Sequence, residues 1–131
     1  MHKFTKLMKP LLILLISLFS LSFISKDIND DLATYLKAGN AQSLAANFAD
    51  KISIKILDVE DLISKAQAQA LFEDFFAKHK VKNYTTLHSS FINTGHQFIT
   101  GNLETNDGKY RVSILVRGNV ISQFRIENDN G

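Results

Sequence analysis

Four histidines, three tyrosines and a scatter of carboxylates are the side chains with chemistry to offer, and no cysteine accompanies them. His88 and His96 flank Asn93-Thr94-Gly95, so a hairpin there brings two imidazoles towards each other. With a nearby carboxylate, two neutral imidazoles can ligate zinc. No ligand spacing supports such a site and the candidate third ligands are remote in sequence, so neither a metal nor a cofactor is expected. His79 stands at the end of a helical pattern, where a cation complements the helix dipole. There is no Ser-His-Asp order with a nucleophile elbow, no phosphate-cradling glycine loop and no H-E-x-x-H helix.

His2, Lys3, Lys6 and Lys9 precede an apolar run from Leu11 to Phe19 interrupted only by Ser17, the layout of a secretory signal peptide. Ser20-Leu21-Ser22 supplies a small-x-small cleavage pattern. The leader is therefore expected to span residues 1–22, with cleavage as late as Ser25, and residues 26–131 to form the exported domain. The mostly apolar stretch from Leu11 to Ile24, about 14 residues, is shorter than the roughly 20 that span a bilayer. The membrane is thus expected to be met only during export, and the destination to be the periplasm or the outside of the cell. Without cysteine, a lipid-modified anchor, disulfide stapling and thiolate metal sites are excluded.

Loss of the leader changes the charge. Removing Lys3, Lys6 and Lys9 from 15 basic side chains leaves 12 against 13 acidic ones, a net charge of −1. Counterion release then offers little drive for binding nucleic acid, and no such partner is expected. A single proline, Pro10, and the absence of a Gly/Ser-rich tract leave one domain with no linker.

The elements that must position any site are legible as periodicities. Ile28, Leu32, Tyr35 and Leu36 form one helical stripe, which Gly39 ends in the left-handed conformation. Asn40 caps a short second helix with Leu44, Ala45 and Phe48 inward, closed by Asp50. Ile52, Ile54 and Ile56 alternate with Ser53 and Lys55 as a half-buried strand. Ser64 and Gln67 make a capping box that opens a helix from about Lys65 to Lys78. Its stripe of Ala68, Leu71, Phe72, Phe75 and Phe76 needs only a sheet to pack on, not a cofactor.

From Asn83 onward, strand follows strand. Asp107-Gly108 predicts a two-residue hairpin turn that pairs Leu103 with Val112, Gly101 with Ile114 and Ile99 with Val116 on one apolar face. Gly118-Asn119 makes the next turn, with a bulge that returns Phe124 and Ile126 to the core. The sum is an α+β domain, cone-like, with three N-terminal helices packed on a curved antiparallel sheet.

Gly101 lies mid-strand on the inner face, where a missing side chain permits strong curvature or close approach by a helix or ligand. The face of His88 depends on the adjacent hairpin. A two-residue Thr94-Gly95 turn points Tyr84, Thr86, His88 and Ser90 inward with Gly101 opposite His88; a three-residue loop turns Thr85, Leu87 and Ser89 inward instead. Tyr35, Asp58, Tyr84, His88, Gly101 and Tyr110 make up the candidate pocket, suited to a small apolar ligand. The outer sheet face, where Phe98, Thr100, Leu115 and Ile121 can gather, is the candidate surface for a homodimer.

Ala38-Gly39-Asn40 through Leu44-Ala45 to Phe48-Ala49-Asp50, followed by an alternating strand, resembles the opening of nuclear transport factor 2-like (cystatin-like, ketosteroid isomerase-like) domains. More narrowly, Ser64-Lys65-Ala66-Gln67-Ala68, Asp74-Phe75-Phe76-Ala77-Lys78, His88, Ile99-Thr100-Gly101 and Arg125-Ile126-Glu127 look like a family of short exported bacterial proteins of unknown function. For the isomerases, the resemblance implies an oxyanion tyrosine at the position of Leu32 and a base aspartate at that of Ile56, so both roles are vacant. Asp58, two residues on, is the nearest substitute base, since a carboxyl in an apolar cone acquires the raised pKa that proton abstraction needs. The ordinary fate of such an aspartate is exposure at the strand end or capping of the turn through Asp61.

Three functions follow as expectations. The first is a noncatalytic small-ligand- or partner-binding domain of the bacterial cell envelope, since fold alone licenses no activity. The second is a homodimeric structural or interaction protein. The third is an isomerase- or dehydratase-like enzyme using Asp58, His88 and Tyr35.

Overall fold

The computed structural model describes residues 27–93 and 95–129, so the leader and its cleavage point lie outside the described residues. Helix α1, Asn29–Ala38, buries Leu32 and Leu36 and ends on Gly39 at φ 62°, whose backbone N–H donates to the Leu36 carbonyl. The amide of Asn40 closes the same cap on the Tyr35 carbonyl at 2.9 Å, and the Asn40 side chain then accepts from Ser43 N to open α2, Ala41–Ala45. One junction thus satisfies the end of one helix and the start of the next.

Strand β1 spans Phe48–Ile56 and β2 spans Val59–Ser64, joined through Leu57 and Asp58. Phe48 and Asp50 therefore belong to a strand and not to α2. Apolar spacing fits either period here; tertiary packing decides it, because Phe48 pairs with Ile121 in the sheet and its ring lies 5.4 Å from that of Phe72. Helix α3, Lys65–Lys78, carries the full Ser64–Gln67 capping box and buries Ala68, Phe72, Phe75 and Phe76. Strands β3 (Val81–Asn93), β4 (His96–Thr105), β5 (Gly108–Arg117) and β6 (Val120–Asn128) complete the chain.

The six strands form one sheet in the order β2-β1-β6-β5-β4-β3. The domain is α+β, but α3 follows two strands, so the helices are not all N-terminal to the sheet. Nor is the sheet wholly antiparallel, because β1 runs parallel to β6. A closing strand that returns beside the first one can take only the direction the meander leaves it. The inner face is a closed apolar core in which Phe48, Phe72 and Phe124 meet, with the Phe72 and Phe124 rings 4.7 Å apart and edge-on.

Two registers differ from expectation. The β4–β5 turn consists of Asn106 and Asp107, with Thr105 opposite Gly108, so Gly101 faces Val112 and Ile99 faces Ile114. The Thr105 hydroxyl, 2.6 Å from Asp107 Oδ1 and 2.9 Å from the Gly108 carbonyl, fixes the turn there. A slip of two residues keeps every side chain on its face, which is why the apolar alternation is unaffected. Strand β3 is irregular at Lys82, Leu87 and Ile92, since pairing shifts between Val81 and Asn83, between Thr86 and His88, and between Phe91 and Asn93. The expected β5–β6 bulge is present, with Val116 opposite Ile121 and Leu115 opposite Gln123, and it returns Phe124 and Ile126 to the core. It also carries Ile121 fully inside, leaving Phe98, Thr100 and Leu115 without it on the outer face.

Candidate functional site

Inside the sheet, Gly101 is covered by a neighbour. Thr86 stands opposite Gly101 and Tyr84 opposite Leu103, which makes Tyr84 the diagonal neighbour of the glycine. A methyl group added at Gly101 would lie 2.2 Å from Tyr84 Oη and 2.4 Å from Cζ, so the tyrosine ring occupies the space a side chain would fill. Tyr84 is 2 % exposed, and its hydroxyl has no hydrogen-bond partner among the described residues. Thr86 is near enough to moderate the effect, but its hydroxyl donates to Asn29 Oδ1 at 3.2 Å. Burial therefore pushes the Tyr84 phenol above its ordinary 10.0.

That raised value fixes a sign. A phenol whose folded pKa exceeds its unfolded one contributes stability that is complete below pH 10 and is lost as pH rises through the folded value. Tyr84→Phe removes both the unmatched hydroxyl and this alkaline loss. The expected result is a gain of about 1 kcal/mol at neutral pH, the lower end of what an unsatisfied buried group costs, and a shallower decline above pH 10. Urea midpoints at pH 8 and pH 11 measure it; a loss of stability at pH 8 shows that the hydroxyl has a partner after all.

The remaining expected pocket residues do not converge. His88 pairs with Thr100 and is exposed on the outer face, because the irregularity at Leu87 reverses the alternation between Thr86 and His88. His96 pairs with Asn93, four positions from Thr100 along β4, or about 13 Å at strand rise, so the two imidazoles do not face each other. Tyr35 is half-buried against the core, and Asp58 is exposed in the β1–β2 turn. Leu32 and Ile56 are buried aliphatic residues of that core.

Tyr110 marks a different cluster. His79, at the end of α3, has Nδ1 2.7 Å from Asp107 Oδ2 and 3.1 Å from the Tyr110 hydroxyl. Its ring lies 4.5 Å from that of Phe75, tilted by 33°. The Thr105 hydrogen bond, with His79 beside it, holds the Asp107 carboxyl below the ordinary carboxylate range. Burial, reinforced by the Asp107 charge, raises the Tyr110 phenol. Position alone did not reveal this group: His79 and Asp107 are 28 residues apart, and what joins them is the end of α3 docking on the β4–β5 turn, where Asn106 N donates to the Lys80 carbonyl at 2.9 Å.

His79 also lines a groove of about 220 Å³ between the end of α3 and the β1–β2 turn. Ile56, Leu57, Val59, Leu71 and Phe75 supply apolar walls, and Asp58, Asp74 and Lys78 supply charge. Leu57 adopts φ 54°, the left-handed region that costs a non-glycine residue roughly 1–3 kcal/mol. Its amide donates to the Ile126 carbonyl at 2.9 Å, and core packing holds the side chain. A wider open hollow of about 540 Å³ lies over the α1–α2 junction, but among the described residues Glu73 is the only charged side chain lining it. Among the described residues no group of three or more His, Asp or Glu side chains converges on a metal position.

The chain belongs to the DUF4783 family, a domain of unknown function, whose model matches residues 29–128. A DUF4783 family protein from Bacteroides uniformis is similar in structure at TM-score 0.75 and 27 % identity, covering 80 % of this chain and 100 % of that one. Another, from Bacteroides ovatus, gives TM-score 0.71 at 27 % identity over 76 % of this chain and 94 % of that one. A domain of unknown function with a cystatin-like fold from Nostoc punctiforme shares the fold at TM-score 0.59 and 12 % identity, over 76 % and 71 %. No curated protein matches the chain. The fold neighbours include nuclear transport factor 2-like and cystatin-like domains, as the resemblance at Ala38-Gly39-Asn40 implies.

Proposed function

We propose that the chain is exported through a leader at residues 1–22 and that residues 26–131 form a noncatalytic binding domain of the bacterial cell envelope. In this reading a cone of sheet and three helices serves as a rigid frame. The observation that carries it is Tyr84 seated on Gly101: the protein's own ring fills the inner-face space where a ligand would rest. Binding is thereby directed to the surface, at the rim groove beside His79 and Asp58. Catalysis of the isomerase type is disfavoured, because Leu32 and Ile56 offer no proton donor or base and Asp58, His88 and Tyr35 stand apart.

Cell fractionation and native mass spectrometry test this. The wild-type chain should be recovered outside the cytoplasm, shortened by its leader and carrying a retained small molecule or partner. Replacing Leu14 and Leu15 with arginine breaks the apolar run, so full-length precursor should accumulate in the cytoplasm. Val59→Arg, at a groove residue that is 49 % exposed, should release the bound mass while the circular dichroism spectrum is unchanged. Export of the double arginine variant, or a bound mass indifferent to Val59→Arg, overturns the corresponding half of the reading.

A further inference from the structure

Resting on the reading of the rim groove as a binding site, we infer that its ligand is an alkylamine, a primary ammonium group carried on an aliphatic chain. Size comes first. At about 220 Å³ the groove is smaller than the 300–1,000 Å³ typical of drug-sized ligands, which suits one extended chain and not a ring system. Its walls are apolar along Ile56, Val59 and Leu71, so methylene groups find contact over the length of the chain.

Charge then selects the head group. Lys78 Nζ lies 3.0 Å from Asp74 Oδ2, so these two lining charges answer each other. Asp58 has no ion-pair or hydrogen-bond partner among the described residues, and it leaves the groove with an unmatched negative charge. An anionic ligand would meet Asp58 and Asp74 in the same groove, with Lys78 already engaged.

The test is an amide-resolved NMR titration of the exported, isotopically labelled chain with hexylammonium, hexanoate and hexanol as separate probes. Hexylammonium should shift the amides of Leu57, Asp58 and His79 at lower concentration than either of the others. Asp58→Asn should weaken it about three- to fivefold, the range of an exposed ion pair, and the exposed Asp61→Asn should leave it unchanged. If hexanoate or hexanol binds these amides as well as hexylammonium, the assignment to an ammonium ligand is wrong although the groove remains a binding site. If no probe moves them, the groove is not a binding site and the functional reading falls with it.

Discussion

Phe72→Ala is expected to lower the unfolding free energy by about 3–5 kcal/mol, the usual cost of truncating a buried phenylalanine. Phe72 is fully buried at the centre of the aromatic group, 4.7 Å from Phe124, 5.4 Å from Phe48 and 6.0 Å from Phe76. These partners come from β6, β1 and α3 itself, so the vacated volume is walled by three elements that cannot collapse together. A small domain is stable by roughly 5–15 kcal/mol in all, so the variant should be marginal at 37 °C. Equilibrium urea denaturation reads the loss as a lower midpoint at unchanged slope. A change below about 1 kcal/mol would mean that the helix face is not the keystone of the core, since so small a figure belongs to surface sites.

Much of this arrangement was legible in the sequence wherever the signal was local. Gly39 announced the end of α1, Ser64 and Gln67 the start of α3, and the alternation through Val112, Ile114 and Val116 the buried face of β5. Face survived even where register did not, because moving the β4–β5 turn by one residue shifts the cross-strand pairing by two, and two is the period of a strand. Strand β2 escaped notice because Val59–Ser64 lies at a sheet edge, mostly exposed, and does not alternate. The parallel pairing of β1 with β6 joins segments some 70 residues apart, beyond any local pattern. The same holds for the rim: nothing in the spacing of His79, Asp107 and Tyr110 distinguishes them from a helix end, a turn and a strand. Only the docking of α3 on that turn makes them one group. On β3, three irregularities within 13 residues made the side of His88 unreadable, since each one reverses the pattern that hydrophobicity is asked to reveal.

Gly101→Ala should destabilise the domain by about 3 kcal/mol, the upper end of ordinary overpacking. The added methyl would lie within 2.6 Å of three atoms of the Tyr84 side chain, the hydroxyl oxygen and two ring carbons, none of which can retreat by a bond rotation of its own. The ring must swing as a body out of a site where the residue is 2 % exposed. The cost therefore belongs to the pair and not to the glycine, and a double-mutant cycle separates the two. In a Tyr84→Leu background the aromatic atoms that oppose the methyl are gone. There Gly101→Ala should cost less than about 1 kcal/mol, or even stabilise, because alanine in a strand interior is favoured over glycine by roughly 0.5–1 kcal/mol. A coupling of about 2 kcal/mol lies within the range for directly touching residues. Equal costs in both backgrounds would place the constraint in the backbone of β4. The glycine would then serve sheet curvature, and the inner face would be open to a ligand that Tyr84 merely borders.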